Sequence, residues 1–214
     1  MSTDLGPDSA GRGADLLGDA SPDEQLALTA DWGSARRVRA VGPRLGPMGW
    51  LRAIDGVVPE VLMDFRPQVL VTQHGCDAHA HDPLSSLRVS TAAQRAAVRR
   101  MHALAHQLCD GRWVALGGGG YAVVDVVPRV WASLLAEAAH VPVPAQTPLP
   151  EEWSELVRRE VGAEPPAVID EDGDEQHADP SWSGRYDPAD GVDRAVMATR
   201  SAVFPLLGLH PEAY

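Results

Sequence analysis

Between Gln73 and Leu84 the chain gathers three histidines (His74, His79, His81), two aspartates (Asp77, Asp82) and Cys76, directly after a β-branched run. Carboxylates and imidazoles are ordinary ligands for zinc and related ions. The spacing is neither a CxxC pair nor the HExxH of a helical zinc site. The same residues therefore also suit a polar loop in which Asp77 or Asp82 caps backbone N–H groups. A second concentration is Gly117-Gly118-Gly119-Gly120-Tyr121. Consecutive glycines let another group approach the backbone closely. A phosphate cradle is one use of such a run, but the Lys-Ser/Thr of a phosphate loop and the spaced glycines of a dinucleotide loop are both missing. A tight strand-to-helix turn is the other use. A phenol at the rim of that turn, as Tyr121 would be, can donate a hydrogen bond to a developing oxyanion.

Taken together, these stretches are more specific. The run from Pro67 to Asp77 (PQVLVTQHGCD), then Asp82-Pro83-Leu84, then Leu116 to Tyr121 (LGGGGY), then Asp125 to Trp131 (DVVPRVW) resemble the C-terminal part of the histone deacetylase superfamily in order and spacing. The bacterial acetoin-utilisation branch is the nearest in pattern, and the resemblance extends from Gly49 to His140. Arg185-Tyr186-Asp187-Pro188 is similar to that branch's tail.

The resemblance implies an α/β, arginase/deacetylase-like three-layer fold with a parallel sheet, of which this chain would hold an incomplete C-terminal portion. It implies hydrolysis of acetyl-lysine-type amides, on a protein or a small molecule, in a context linked to acetoin use. It implies a divalent metal, usually Zn2+ and in some settings iron(II), held by two aspartates and a histidine. That metal polarises the acetyl carbonyl and activates water, a histidine pair handles protons, and a tyrosine stabilises the oxyanion. Carried over residue by residue, Asp77 matches a metal ligand and Tyr121 the catalytic tyrosine. Gly118 and Gly119 match glycines lining the acyl-lysine tunnel, Leu84 a tunnel-wall position, with Pro83 beside it. His74, His79 and His81 match no catalytic role and are expected to be loop residues. Arg129 and Trp131 are expected to be structural.

One departure bears on activity. No histidine precedes His74, so the family's histidine pair and its Asp-x-His ligands have no counterpart upstream of it. The expectation is a truncated chain that is inactive alone, or one half of a split deacetylase that needs a complementing N-terminal chain. The alternative is a non-catalytic remnant acting as an interaction module.

Those residues need elements to position them. Leu51, Ile54, Val57, Val58, Val61, Leu62 and Phe65 recur at helical spacing and predict a helix over 49–65, kinked at Pro59 and ended by Pro67. Residues 68–73 and 112–116 read as strands buried on both faces. Ser90 or Thr91 starts a second helix, with Thr91 and Gln94 in capping-box positions and Val98, Met101, Leu104, Ala105 and Leu108 as its stripe. Asp110-Gly111 turns the chain, and a third helix spans 125–140 with Pro128 in its first turn. This alternation predicts parallel strands whose following loops lie side by side, the edge where α/β proteins bind ligands. Short helices follow at 150–161 and 192–203.

Three segments result. Residues 1–45 are unassigned, with 1–24 polar and expected to be disordered and Arg36, Arg37 and Arg39 a small basic cluster; 46–141 form the deacetylase-like portion; 142–214 form a Pro-rich linker and tail. The net charge of −12 disfavours direct nucleic-acid or anionic-membrane partners. Two cysteines, no signal-like start and no long apolar run fit a cytoplasmic setting.

Overall fold

The computed structural model describes residues 45–170, 182 and 186–212. The expectations for residues 1–24 and for Arg36, Arg37 and Arg39 lie outside the described residues. The elements in order are α1 (Pro47–Phe65), β1 (Leu70–Gln73), α2 (Thr91–Cys109), β2 (Trp113–Leu116), α3 (Val127–Ala138), α4 (Glu151–Glu160), α5 (Gly191–Val203) and a 3₁₀ turn (Phe204–Leu207).

Helix α1 starts at Pro47, a residue whose missing N–H costs nothing in a first turn. It runs through Pro59 and stops where Arg66 turns left-handed (φ 51°) ahead of Pro67. Helix α2 is capped by Ser90, whose hydroxyl accepts the Ala93 N–H at 3.2 Å. Gln94 does not complete a capping box. With Ser90 as the cap, Gln94 falls one place too far along, and its amide donates to Cys76 O at 3.3 Å. Asp110 and Gly111, both at positive φ, reverse the chain into β2.

The two strands pair in parallel, Leu70 opposite Trp113 through Gln73 opposite Leu116. Leu70 packs on Ala105 and Cys109 of α2, with Leu62 and Trp113 at the margin. The strands are not buried on both faces, contrary to the expectation from their apolar runs. Val71, Gln73, Val114 and Leu116 share the other face and are exposed, Val71 at 60% and Leu116 at 51%. A run such as VLVTQ reports that a strand is apolar, not which neighbouring layers cover it.

The remaining core binds α1 to the loop before α2 through Leu51, Ala78, Leu87, Val89, Ala93 and Ala97. Helix α5 packs on α1 through Val196, Ala53 and Trp182. This interface also carries buried charges. Arg52 holds Asp193, with Nη2 to Oδ2 at 2.8 Å, and Arg200 donates to Gly56 O at 2.6 Å. The segment after α3 is tied to α2 as well: buried Arg95 reaches Asp170 at 3.1 Å and Val143 O at 2.5 Å.

Candidate active site

Both loops of interest leave the carboxyl ends of the paired strands. Pairing continues past the strands, His74 N–H to Leu116 O at 2.8 Å and Cys76 N–H to Gly119 O at 2.7 Å. The loop after β1 and the glycine run after β2 thus lie side by side. Trp131 of α3 donates its indole N–H to His74 O at 3.0 Å, which fixes α3 beneath the first loop. Cys76, Val126 and Val130 form the apolar floor.

Asp77, half-buried, lies against the glycine run. A Cβ on Gly119 would sit 2.1 Å from Asp77 Oδ2, and one on Gly118 would sit 2.7 Å from the Gln73 side chain. Side chains of any size are incompatible with that approach, which accounts for glycine at these two positions. Asp82 is buried and bridges the loops. Its Oδ2 accepts the Tyr121 N–H at 2.8 Å and its Oδ1 accepts the Leu84 N–H at 2.9 Å. It is the backbone cap that the loop reading allowed, with one partner far along the chain. The Tyr121 ring, Leu84 and Pro83 stand exposed at the rim, Tyr121 at 51%. Asp77, Gly118, Gly119, Tyr121, Pro83 and Leu84 are therefore set around one pair of loops.

The three loop histidines are engaged within the loop's own scaffold. His79 is buried, and its Nδ1 accepts the His81 N–H at 3.1 Å, which leaves the Nε2 proton to donate to Thr91 Oγ1 at 3.3 Å. His81 pairs with Asp125, whose other oxygen accepts from buried Arg129 at 2.8 Å. His74 Nε2 meets Thr72 Oγ1 at 2.7 Å, and burial lowers its pKa. The Cys76 thiol is pushed up to about 11, by burial first and then by Asp77, so it is a poor nucleophile at neutral pH.

A metal centre needs more donors than Asp77 alone. Among the described residues, no further His, Cys, Asp or Glu groups gather with Asp77 into a metal-sized cluster. The residues present do not by themselves fit a catalytic metal. The cluster of that size is elsewhere, at His102, His106 and His140. Sequence reading missed it, although His102 and His106 stand at the i, i+4 spacing that places two side chains on one helix face. It also missed the reach of Asp82 to Tyr121, for which no local signal exists.

Residues 35–138 match the histone deacetylase domain. This segment belongs to the histone deacetylase superfamily. Within the deacetylase relatives the similarity runs to the acetoin utilization branch. The acetoin utilization protein AcuC of Bacillus subtilis strain 168 is 39% identical over 104 residues, covering 49% of this chain and 26% of the relative. A probable deacetylase of Archaeoglobus fulgidus is 34% identical over 97 residues, covering 45% of this chain and 27% of the relative. The chain spans about a quarter of the length of these curated relatives. Among solved structures, an HDAC homologue complexed with SAHA matches 72% of this chain and 39% of its own, at 22% identity and a TM-score of 0.49. The HD domain of HDA15 matches 45% of this chain and 25% of its own, at 27% identity and a TM-score of 0.33. All six rim and loop residues named above fall inside the deacetylase segment. No helix among the described residues is long and apolar enough to cross a membrane.

Proposed function

We propose that this chain supplies one wall of the site of a zinc-dependent deacetylase acting on acetyl-lysine-type amides, in an acetoin utilization setting in the cytoplasm. The observation that carries this reading is the close approach of Asp77 to Gly119, beside the Tyr121 backbone that Asp82 holds, inside the segment that matches the deacetylase domain. In this reading Asp77 contributes one carboxylate to the metal, with iron(II) as the other candidate ion. The phenol of Tyr121 donates to the oxyanion as the acetyl carbonyl becomes tetrahedral. Gly118 and Gly119 floor the acyl-lysine tunnel, and Pro83 and Leu84 line its wall. The other ligands and the proton-handling histidine pair are not gathered around Asp77 among the described residues. They come, in this reading, from further polypeptide or from a complementing chain. Acetate release from an acetyl-lysine peptide, measured with this chain alone and added zinc, should be nil. Zinc-dependent turnover by the chain alone would overturn the partial-site reading.

A second reading rests on the bare sheet face of Val71, Val114 and Leu116. Contiguous exposed apolar surface of this kind marks a protein contact, as an interaction module without catalysis would require. Under that reading Val114→Glu should abolish self-association or partner capture, whereas Tyr121→Phe should change nothing.

A further inference from the structure

The amino-terminal edge of the sheet, opposite the Asp77 loops, carries a different constellation. His102 and His106 lie one turn apart on α2, and His140 reaches the same place from the residue pair that follows α3. Their ligating nitrogens all lie within 4.8 Å of one another, and the Nε2 atoms of His102 and His106 are 3.0 Å apart. A tetrahedral zinc with Zn–N bonds of about 2.0–2.1 Å sets its nitrogens roughly 3.3 Å apart. A small side-chain adjustment, widening the His102–His106 pair slightly and drawing the longer separations in, meets that requirement.

The rings are also oriented for it. His102 Nδ1 meets Glu137 Oε1 at 2.9 Å. A carboxylate there holds the proton on Nδ1 and leaves the Nε2 lone pair facing His106, the carboxylate–histidine arrangement found behind metal-bound imidazoles. The indole of Trp113 stacks on the other side of His102, with ring centroids 5.3 Å apart and planes 20° apart, and fixes the ring plane. His140 adopts positive φ (59°), uncommon outside glycine, and its N–H bonds to Glu137 O at 3.0 Å. That backbone turn brings its ring to 4.8 Å from His102 and 5.2 Å from His106. The two Nε2 atoms of His102 and His106 face each other at 3.0 Å, the approach of two ligating nitrogens that a shared metal ion would bridge. His106 and His140 are exposed, so water can complete the coordination.

We propose that His102, His106 and His140 form a three-imidazole site for a zinc-class divalent ion, which staples α2 to the carboxyl end of α3. The all-nitrogen donor set selects zinc, nickel or copper over magnesium or calcium, which take oxygen ligands. The site shares no residue with the Asp77 loops, so it stands or falls independently of the deacetylase reading.

The test is calorimetric titration of Zn2+ into the untagged, metal-stripped full chain, with thermal unfolding in parallel. The proposal expects one zinc per chain at this site and a midpoint that climbs with zinc concentration. His106→Gln and His140→Asn alter exposed residues, and each should weaken zinc at least tenfold while circular dichroism stays unchanged. Glu137→Gln should weaken it about tenfold, as loss of a supporting carboxylate does. Asp77→Asn should bind as the wild type does. Absence of stoichiometric binding, wild-type affinity in the His106→Gln, His140→Asn double variant, or loss of the zinc in Asp77→Asn would overturn it.

Discussion

The Tyr121 N–H donates to the Asp82 carboxylate at 2.8 Å, across 39 residues of sequence. The second oxygen of Asp82 holds Leu84 at 2.9 Å. One buried side chain thus sets the backbone of both the tyrosine and the proposed tunnel wall. Asp82→Ala would leave two loop N–H groups without their charged acceptor. Bonds to charged acceptors contribute about 1.5–3 kcal/mol each, and partial rescue by water argues for a net loss of about 2 kcal/mol. A fall in the urea midpoint at constant m-value measures it. Asp82→Asn, which keeps one acceptor oxygen, should lose less.

Gly119→Ala tests the closest approach between the loops. The new methyl would have to occupy a point 2.1 Å from Asp77 Oδ2, so the carboxylate must swing away. In an assembled enzyme this should abolish deacetylation about as fully as Asp77→Asn does, because both remove the carboxylate from its place. Unchanged turnover in the alanine variant would show that the approach is not needed.

The charged interface of α1 and α5 makes a stability prediction. Asp193 is 1% exposed and accepts from Arg52 and from the Asp187 N–H at 2.8 Å. Burial alone would raise its pKa; the Arg52 and Asp187 hydrogen bonds outweigh that, and the pKa is lowered. Removing one partner of a buried pair strands the other, at a cost of about 3–5 kcal/mol in fully buried cases. Arg52 is partly exposed and keeps its place over the Trp182 ring, which puts Asp193→Ala below that range, at about 2 kcal/mol by chemical denaturation. Arg52→Met, which leaves Asp193 its backbone donor, should cost less.

His74 gives the fold a pH dependence. Burial lowers its pKa from the ordinary 6.5, so the native state binds the proton less readily than the unfolded chain. Above pH 6.5 neither state binds the proton, and the histidine has no effect. As pH falls below that value the unfolded chain protonates first, and stability declines until the lower native pKa is reached. Melting temperatures between pH 7.5 and pH 5 should therefore fall less steeply in His74→Gln than in the wild type.

Much of this site is legible in the sequence because it is local. The VLVTQ and WVAL runs, the glycine turn and the loop from His74 to Leu84 each announce themselves, and α1 and α2 follow from their apolar spacing. What sequence hides is non-local. Nothing near Asp82 tells that its second partner is Tyr121. Arg52, Asp193 and Arg200 carry no local sign of the contacts they make between helices, because periodicity counts apolar residues and cannot see polar groups pairing across helices. Ser90 and Thr91 are equally good caps by residue type, and only the fold puts the Ser90 hydroxyl on the Ala93 N–H. The bare face of Val71 and Val114 was likewise hidden, since strand composition does not reveal which layers are present.

The most direct measurement is on a chimera. Residues 35–138 would replace the matching segment of the Bacillus subtilis relative, with acetate release from an acetyl-lysine peptide compared against the intact relative. Turnover by the chimera should be comparable with that of the parent. Tyr121→Phe should cut kcat by about 10²–10³ with metal content unchanged, as loss of one oxyanion donor does, and Asp77→Asn should lose both metal and turnover. A folded, metal-loaded chimera that releases no acetate beside an active parent, or one whose rate is indifferent to Tyr121→Phe, would contradict the deacetylase reading.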